Sequence, residues 1–383
     1  MDVLSVNMTL QNDSTLYNGT ESASYTTEIS WKYYVPPIFF AIIFLVGVSG
    51  NALVIYVVAF FKKMRTVTTC YLVNLAVTDL AFLLCCVPFT AVNYLTTSYV
   101  FGETMCKFVS YIQQVTVQAT CLTLALLSLD RYCAILHPMM SLTFRRRRVA
   151  IIGSITVWIA SFLMTLPTAL FYRIEDIPWN GEILKVCRPK YPSAAWALGY
   201  RIYSMLFIYF IPLVVFLFTC SAIVYRLYNR FQPNTQPDSQ GEKTRRTACL
   251  VIGVVVVFAV CWLPNHAVNL WFMLNEKKEM TDTIYWIKVA ALILTYTNSA
   301  TNPFIYAMVG EDFRACVKTT FCGSKKKQGT SVGPREKANK SVTKSLSTQR
   351  PLEVPPKLKK SPPLIHTNVM AEVPPYIEAE TVL

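Results

Sequence analysis

Apolar residues along the chain gather into seven long blocks, at about residues 33–60, 67–94, 102–136, 149–171, 197–225, 243–274 and 283–308. Each block reaches the roughly twenty residues that a helix needs to cross the hydrocarbon core of a bilayer. The connections are short, except those between blocks four and five and between blocks five and six, which predicts one bundle. Pro88, Pro167, Pro212, Pro264 and Pro303 interrupt blocks. In a membrane bundle, neighbouring helices satisfy the carbonyls that proline frees, so each proline is a kink and a candidate hinge. Past the last block, Phe313, Val317 and Phe321 recur every four residues, the period of a short amphipathic helix on a membrane surface. The expected class is an all-α membrane protein. It comprises a polar N-terminal tail (1–32), a seven-transmembrane helix bundle (33–308), an amphipathic eighth helix (309–322) and a tail (323–383) whose Lys, Ser, Pro and Thr content makes disorder the default.

The 383 residues are 53% hydrophobic and 15% charged, whereas water-soluble domains run near one-quarter charged, so lipid is the solvent. A net charge of +14 would suit nucleic acid, but the basic residues lie in separated short loops instead of on one folded face, which argues against a nucleic-acid partner. Loops 61–67, 137–148 and 226–246 and the segment from 310 carry +3, +4, +3 and +6, while the stretches before 33, around Glu103, at 172–198 and at 275–283 together carry −4. Positive loops remain cytoplasmic, which places the N-terminus outside the cell and the C-terminus inside. The basic loops also favour anionic membrane lipid.

Of twelve cysteines, only Cys106 and Cys187 fall on the oxidising outer side, which predicts one disulfide. The first 32 residues hold no apolar core for a cleaved signal, and their three sequons, at Asn7, Asn12 and Asn18, predict a glycosylated tail. Cys316 and Cys322 are candidates for palmitate, with Cys322 the better placed beside Lys325-Lys326-Lys327; free cytosolic thiols are the alternative. Thr381-Val382-Leu383 matches a Thr-x-apolar carboxyl terminus that adds as a strand to a PDZ domain.

Ionisable groups at membrane depth are costly and therefore candidates for function. Asp79 sits mid-block, and Thr120, Asn298, Ser299 and Asn302 are oxygen-bearing partners for it. This set suits a small hard cation such as sodium, or a protonated carboxyl in a hydrogen-bonded knot; spacing alone leaves both open. Asp130-Arg131 lies at the inner mouth of block three. Lys107, Arg201 and Lys288 read as snorkelling side chains near outer ends. Phe89, Asn93, Gln113, Gln114, Val117, Gln118, His266, Asn269 and Tyr296 lie in the outer third, with Tyr111 nearby, and suggest a cup for an amphipathic ligand. Three histidines in all make no zinc site, and no phosphate loop or nucleophile–base arrangement with supporting context argues for an enzyme. A channel or transporter built around Asp79 is the rival class, but the halves show no repeat.

Gly50-Asn51, the LAxxD run ending at Asp79, Cys106, Asp130-Arg131-Tyr132, Trp158, Pro212, Cys261-Trp262-Leu263-Pro264 and Asn302-Pro303-Phe304-Ile305-Tyr306 occur in order on the seven blocks. Together they resemble the rhodopsin-like G-protein-coupled receptors, over about residues 33–322. Gln113 stands where amine receptors carry an Asp, and Tyr296 where opsins carry the retinal Lys. MRTVT (64–68), FLLCCVPFTA (82–91) and residues 105–121 look like kisspeptin receptors, with galanin and allatostatin-A receptors next. The resemblance implies a secreted peptide with an amidated Arg-aromatic C-terminus as ligand. It further implies coupling to Gq, or to Gi if the galanin likeness governs, and binding of arrestin and receptor kinases. It assigns Cys121, Pro212, Phe258, Trp262 and Pro264 to a switch, and Asp130, Arg131, Tyr132, Met139, Pro303 and Tyr306 to the inner face that meets the G protein. No cofactor is implied beyond the candidate sodium ion. Two positions depart from the family pattern. Cys220 replaces a usual tyrosine, and Thr244 replaces the acid that often holds the DRY arginine, so raised basal activity is expected, tested by ligand-free inositol phosphate production in Thr244→Glu.

Overall fold

A computed structural model describes residues 31–179, 182–230, 239–275 and 281–322. The sequons, the tail beyond 322 and the Thr381-Val382-Leu383 terminus lie outside these described residues. Helices α1 (Trp31–Phe60), α2 (Val67–Leu95) and α3 (Gly102–Leu136) follow one another with short turns, the first containing a 3₁₀ turn at Lys62–Met64. After the short α4 (Pro138–Phe144), the fourth span divides into α5 (Arg147–Met164) and α6 (Leu166–Phe171). The division falls at Thr165, two residues before Pro167, as the steric demand of a proline ring on the preceding turn requires, and Thr165 Oγ1 donates to Ser161 O at 2.8 Å. The fifth span is α7 (Ala194–Met205), a π turn at Leu206–Phe210 and α8 (Ile211–Arg230). Then come α9 (Ser239–Leu274), α10 (Asp282–Val309) and α11 (Glu311–Cys322).

Six of these spans are long and apolar enough to cross a membrane. The seventh, α10, has 28 residues and so the necessary length, but Thr295, Thr297, Asn298, Ser299, Thr301 and Asn302 lower its apolarity. It earns its place through internal contacts, as a helix buried on most sides can.

Polar motif residues fasten the bundle. Asn51 Nδ2 donates to Gly47 O and to Ser299 O, both at 2.9 Å, tying α1 to α10. Gly50 permits that approach, because a β-carbon there would lie 2.9 Å from Pro303 Cγ. The pyrrolidine ring cannot swing aside, so Gly50→Val is expected to cost about 1–3 kcal/mol through overpacking, read as a lower melting temperature of the detergent-solubilised protein. Trp158 Nε1 donates to Asn74 Oδ1 at 2.9 Å, and Asn74 Nδ2 to Thr123 Oγ1 at 2.7 Å, joining α5, α2 and α3.

At one end of the bundle, strands β1 (Tyr172–Trp179) and β2 (Glu182–Pro189) form an antiparallel hairpin that pairs Tyr172 with Pro189 and Ile174 with Cys187. Cys187 is bonded to Cys106, in the first turn of α3, with Cα atoms 5.6 Å apart, so the expected disulfide is present. The preceding loop hooks onto β2: Tyr99 N donates to Lys185 O at 2.8 Å, and Lys185 N to Ser98 Oγ at 2.9 Å. Arg188 pairs with Glu175 across the strands and holds its carboxyl below the ordinary range. A depressed carboxyl contributes stability above its ordinary value near about pH 4.3 and loses it as pH falls through the folded value. Hairpin amide-exchange protection is therefore expected to be unchanged at about pH 5.5 and to decline only in stronger acid.

The eighth helix begins at Glu311, and its inward face carries Phe313 and Cys316 into the main core. Cys316 is 6% exposed, so it faces the bundle and does not present a thiol to lipid as a palmitate site must; this removes one of the two candidates. The side chain of Cys322 lies outside the described residues.

Candidate functional site

Two regions of α3 carry the candidate site: its N-terminal half bears the polar residues of the expected cup, and its C-terminal end holds a charged cluster. In the cup, α3 supplies Gln113, Gln114, Val117 and Gln118, all buried. From α2 come half-buried Phe89, whose ring meets Phe101 at 4.9 Å, and Asn93. Helix α9 supplies His266, whose ring lies tilted at 4.5 Å from that of Tyr209 in the π turn, and half-buried Asn269. Tyr296 of α10 is wholly enclosed, stacked on Phe82 at 4.8 Å with its hydroxyl 2.8 Å from that of Thr90, so it supports the cup from beneath its surface. Tyr111 is turned away, donating to Phe162 O at 2.8 Å.

Four buried atoms of the cup lack a hydrogen-bond partner: Gln113 Nε2, Gln114 Oε1, Asn265 Nδ2 and His266 Nε2. Buried polar atoms are seldom left so. Asn265 was absent from the expected cup, although the rule that singles out His266 applies equally to its neighbour. Lys288 also departs from expectation. It does not snorkel but is 8% exposed, with Nζ 5.6 Å from the centre of the Phe272 ring.

From the cup a column of rings runs inward. Phe258, Trp262 and His266 recur every four residues on one face of α9, with centroids 5.9 and 5.8 Å apart, and Phe216 of α8 meets Phe258 edge-on at 6.1 Å. Pro264 lies within this stretch of α9. The π turn that precedes Pro212 is held from α3: Cys121 Sγ donates to Ile208 O at 2.8 Å, and Gln118 Nε2 to Phe207 O at 3.5 Å. Cup and switch residues therefore share one scaffold.

At mid-depth Asn302 Nδ2 donates to Asp79 Oδ2 at 2.8 Å. Thr120 Oγ1 donates to Thr78 Oγ1, 3.3 Å away. Buried Asp79 Oδ1, Asn298 Oδ1 and Asn302 Oδ1 are left without partners, and Ser299 is buried beside them on α10. One carboxylate with neutral oxygens fits a hard monovalent cation better than a soft one.

At the inner end, Arg131 is 5% exposed and bound by its neighbour Asp130, with Nε at 3.0 Å. Asp130 also receives Arg145 Nε at 2.9 Å, and Arg145 Nη2 reaches Thr68 Oγ1 at 3.1 Å. The Tyr132 ring lies 5.6 Å from that of Phe218, and Met139 is exposed. Arg131, Arg145, Lys243, Arg246 and Tyr306 line an inner cavity of about 290 Å³.

The sequence model of the 7 transmembrane receptor (rhodopsin family) matches residues 50–306, from the Gly50 that admits Pro303 to the Tyr306 at the inner cavity. The chain belongs to the rhodopsin family of seven-transmembrane receptors. Its relatives include the KiSS-1 receptor of Homo sapiens, 37% identical over 73% of this chain and 73% of that one. G-protein coupled receptor 54 of Oreochromis niloticus is 36% identical over 75% and 78%, and galanin receptor type 1 of Rattus norvegicus is 34% identical over 76% and 84%. The receptor is thus a multi-pass membrane protein and not an enzyme, and the channel or transporter reading falls.

Proposed function

We propose that this receptor sits in the plasma membrane with its N-terminus outside, binds a secreted peptide with an amidated Arg-aromatic C-terminus, and signals through Gq to calcium release. The observation that carries the reading is the set of unpartnered neutral atoms in the cup. Gln113 Nε2 and Asn265 Nδ2 donate, whereas Gln114 Oε1 and His266 Nε2 accept in the Nδ1-protonated tautomer. A terminal carboxamide offers both an acceptor and donors; a carboxylate offers acceptors alone. The likeness to KiSS-1 receptors supports the same ligand class, and the likeness to galanin receptors makes Gi the second coupling to test.

Amidated Arg-Phe peptides and their free-acid counterparts, assayed for calcium release and cAMP, test this. Leaving one buried acceptor unpaired costs about 1–3 kcal/mol, so the free acid is expected to be at least about fivefold weaker. Equal potency of acid and amide would overturn the carboxamide reading, and a cAMP decrease without calcium release would reassign the coupling to Gi.

Binding acts as a two-state switch in this reading: the peptide favours a state in which α9 pivots at Pro264, with Trp262 and Phe258 repacking against Cys121 and Pro212. The ligand shifts the equilibrium only by its differential affinity for the two states. Asp79, Asn298, Ser299 and Asn302 would hold a sodium ion that favours the ligand-free state. Exchanging sodium for a large organic cation is expected to lower the melting temperature of the peptide-free receptor, and Asp79→Asn to erase the difference.

A further inference from the structure

The first turn of α11 is tied on three sides. Asp312 takes Lys63 of the 3₁₀ turn at 2.5 Å. Arg314 reaches back to the last carbonyls of α10, at 3.2 Å to Ala307 O and also to Met308 O. Glu311 pairs with Arg246 of α9. The same guanidinium holds Glu242, one turn earlier on α9, at 2.5 Å. α11 is thereby fixed to α10 and to the turn after α1, and α9 is fixed to α11 through Arg246.

Arg246 and Glu311 both line the inner cavity of about 290 Å³. The pair thus joins α9 to α11 at the wall of that cavity, on the side where Lys243 and Thr247 of α9 also line it.

We propose that the Arg246–Glu311 pair is an ionic latch holding α9 against α11 and keeping the inner cavity shut. The inference rests on the two-state reading given above. The latch assigns to α11 the acid that position 244 lacks: the cation is on the moving helix and the acid on the fixed one. Glu242 makes release cheap, because an Arg246 that has left Glu311 keeps a carboxylate on its own helix and is never stranded. Solvent-facing pairs are individually weak, so the latch tunes basal opening instead of forbidding it.

The test uses the full-length receptor with a fluorine label on Cys249, which is exposed on α9, in a Cys133→Ser, Cys322→Ser background, with neither peptide nor G protein present. Arg246→Glu and Glu311→Arg are each expected to raise the open population by about two- to fivefold, and the double exchange to return it to the parent level. Glu242→Gln is expected to leave the population closed. The latch is overturned if neither single variant shifts the population, or if the double exchange stays as open as the singles. Should added peptide produce an open signal while the charge variants do not, the latch alone falls. A label that reports one state in every condition, peptide included, removes the two-state reading and the latch with it.

Discussion

Cys187→Ala is expected to abolish peptide binding at the cell surface. Cys106 and Cys187 are 81 residues apart in sequence, and the chain between them includes most of α3, all of α5 and α6, and β1. Without the bond, a loop of that length regains roughly 4–5 kcal/mol of conformational freedom in the unfolded chain. The local loss is as serious. Cys106, Cys187, Tyr99 and Tyr172 form a core of their own with Phe101 and Ile174 packed against it, so release of the hairpin also frees the loop that hooks onto Lys185. Phe89, which lines the cup, packs on Phe101 of that loop. Radioligand binding on intact cells, with surface staining to count receptors, separates lost affinity from lost export; normal affinity at normal surface density would sink the claim.

Asp130→Ala is expected to raise ligand-independent nucleotide exchange on G protein by about tenfold or more. Asp130 engages both Arg131 and Arg145, and Arg131 is almost fully enclosed. Removing one member of a buried pair leaves an uncompensated charge at about 3–5 kcal/mol, here with two guanidinium groups facing the same small cavity. In the proposed two-state switch that cost falls on the closed state, because opening gives the enclosed Arg131 water, which half-buried Arg145 already has. With the two states separated by a few kcal/mol, the balance tips towards the open one. A purified variant with unchanged basal exchange and unchanged melting temperature would show that Asp130 restrains nothing.

The spans were legible because seven apolar blocks of sufficient length leave the chain no other way to satisfy its backbone in lipid. The α3 bounds, Gly102–Leu136, agree with the apolar block to the residue, since a charged residue or proline stands close to each end. What escaped is what lipid does not dictate. α9 begins at Ser239, four residues before its apolar block, because beyond the membrane it is held by the Glu242–Arg246 pair and not by hydrophobic pattern. The hairpin had a signal, the Asn180-Gly181 dipeptide beside alternating Leu184 and Val186, of a kind that marks tight turns between strands. In a chain dominated by helices, that short-range cue was passed over. Lys288 reads as an outward cation because sequence depth says nothing about which face of α10 meets the bundle. Apolar length gives a residue's depth alone; the unpartnered atoms on α3 and α9 arise from packing between helices, which no single segment encodes.

The π turn at Leu206–Phe210 carries a consequence for how this span tolerates change in length. It stores one residue more than an α-helical turn would hold, so every side chain from Pro212 onward is rotated relative to α7 by about a third of a circle. Phe216, Thr219 and Ile223 face inward on that shifted setting. Deleting a single residue between 206 and 210 would heal the helix and leave those three facing inward, whereas relaxing the turn to α geometry at full length would turn them towards lipid. For this receptor, the geometry of that turn is a more stringent requirement than its count of five residues.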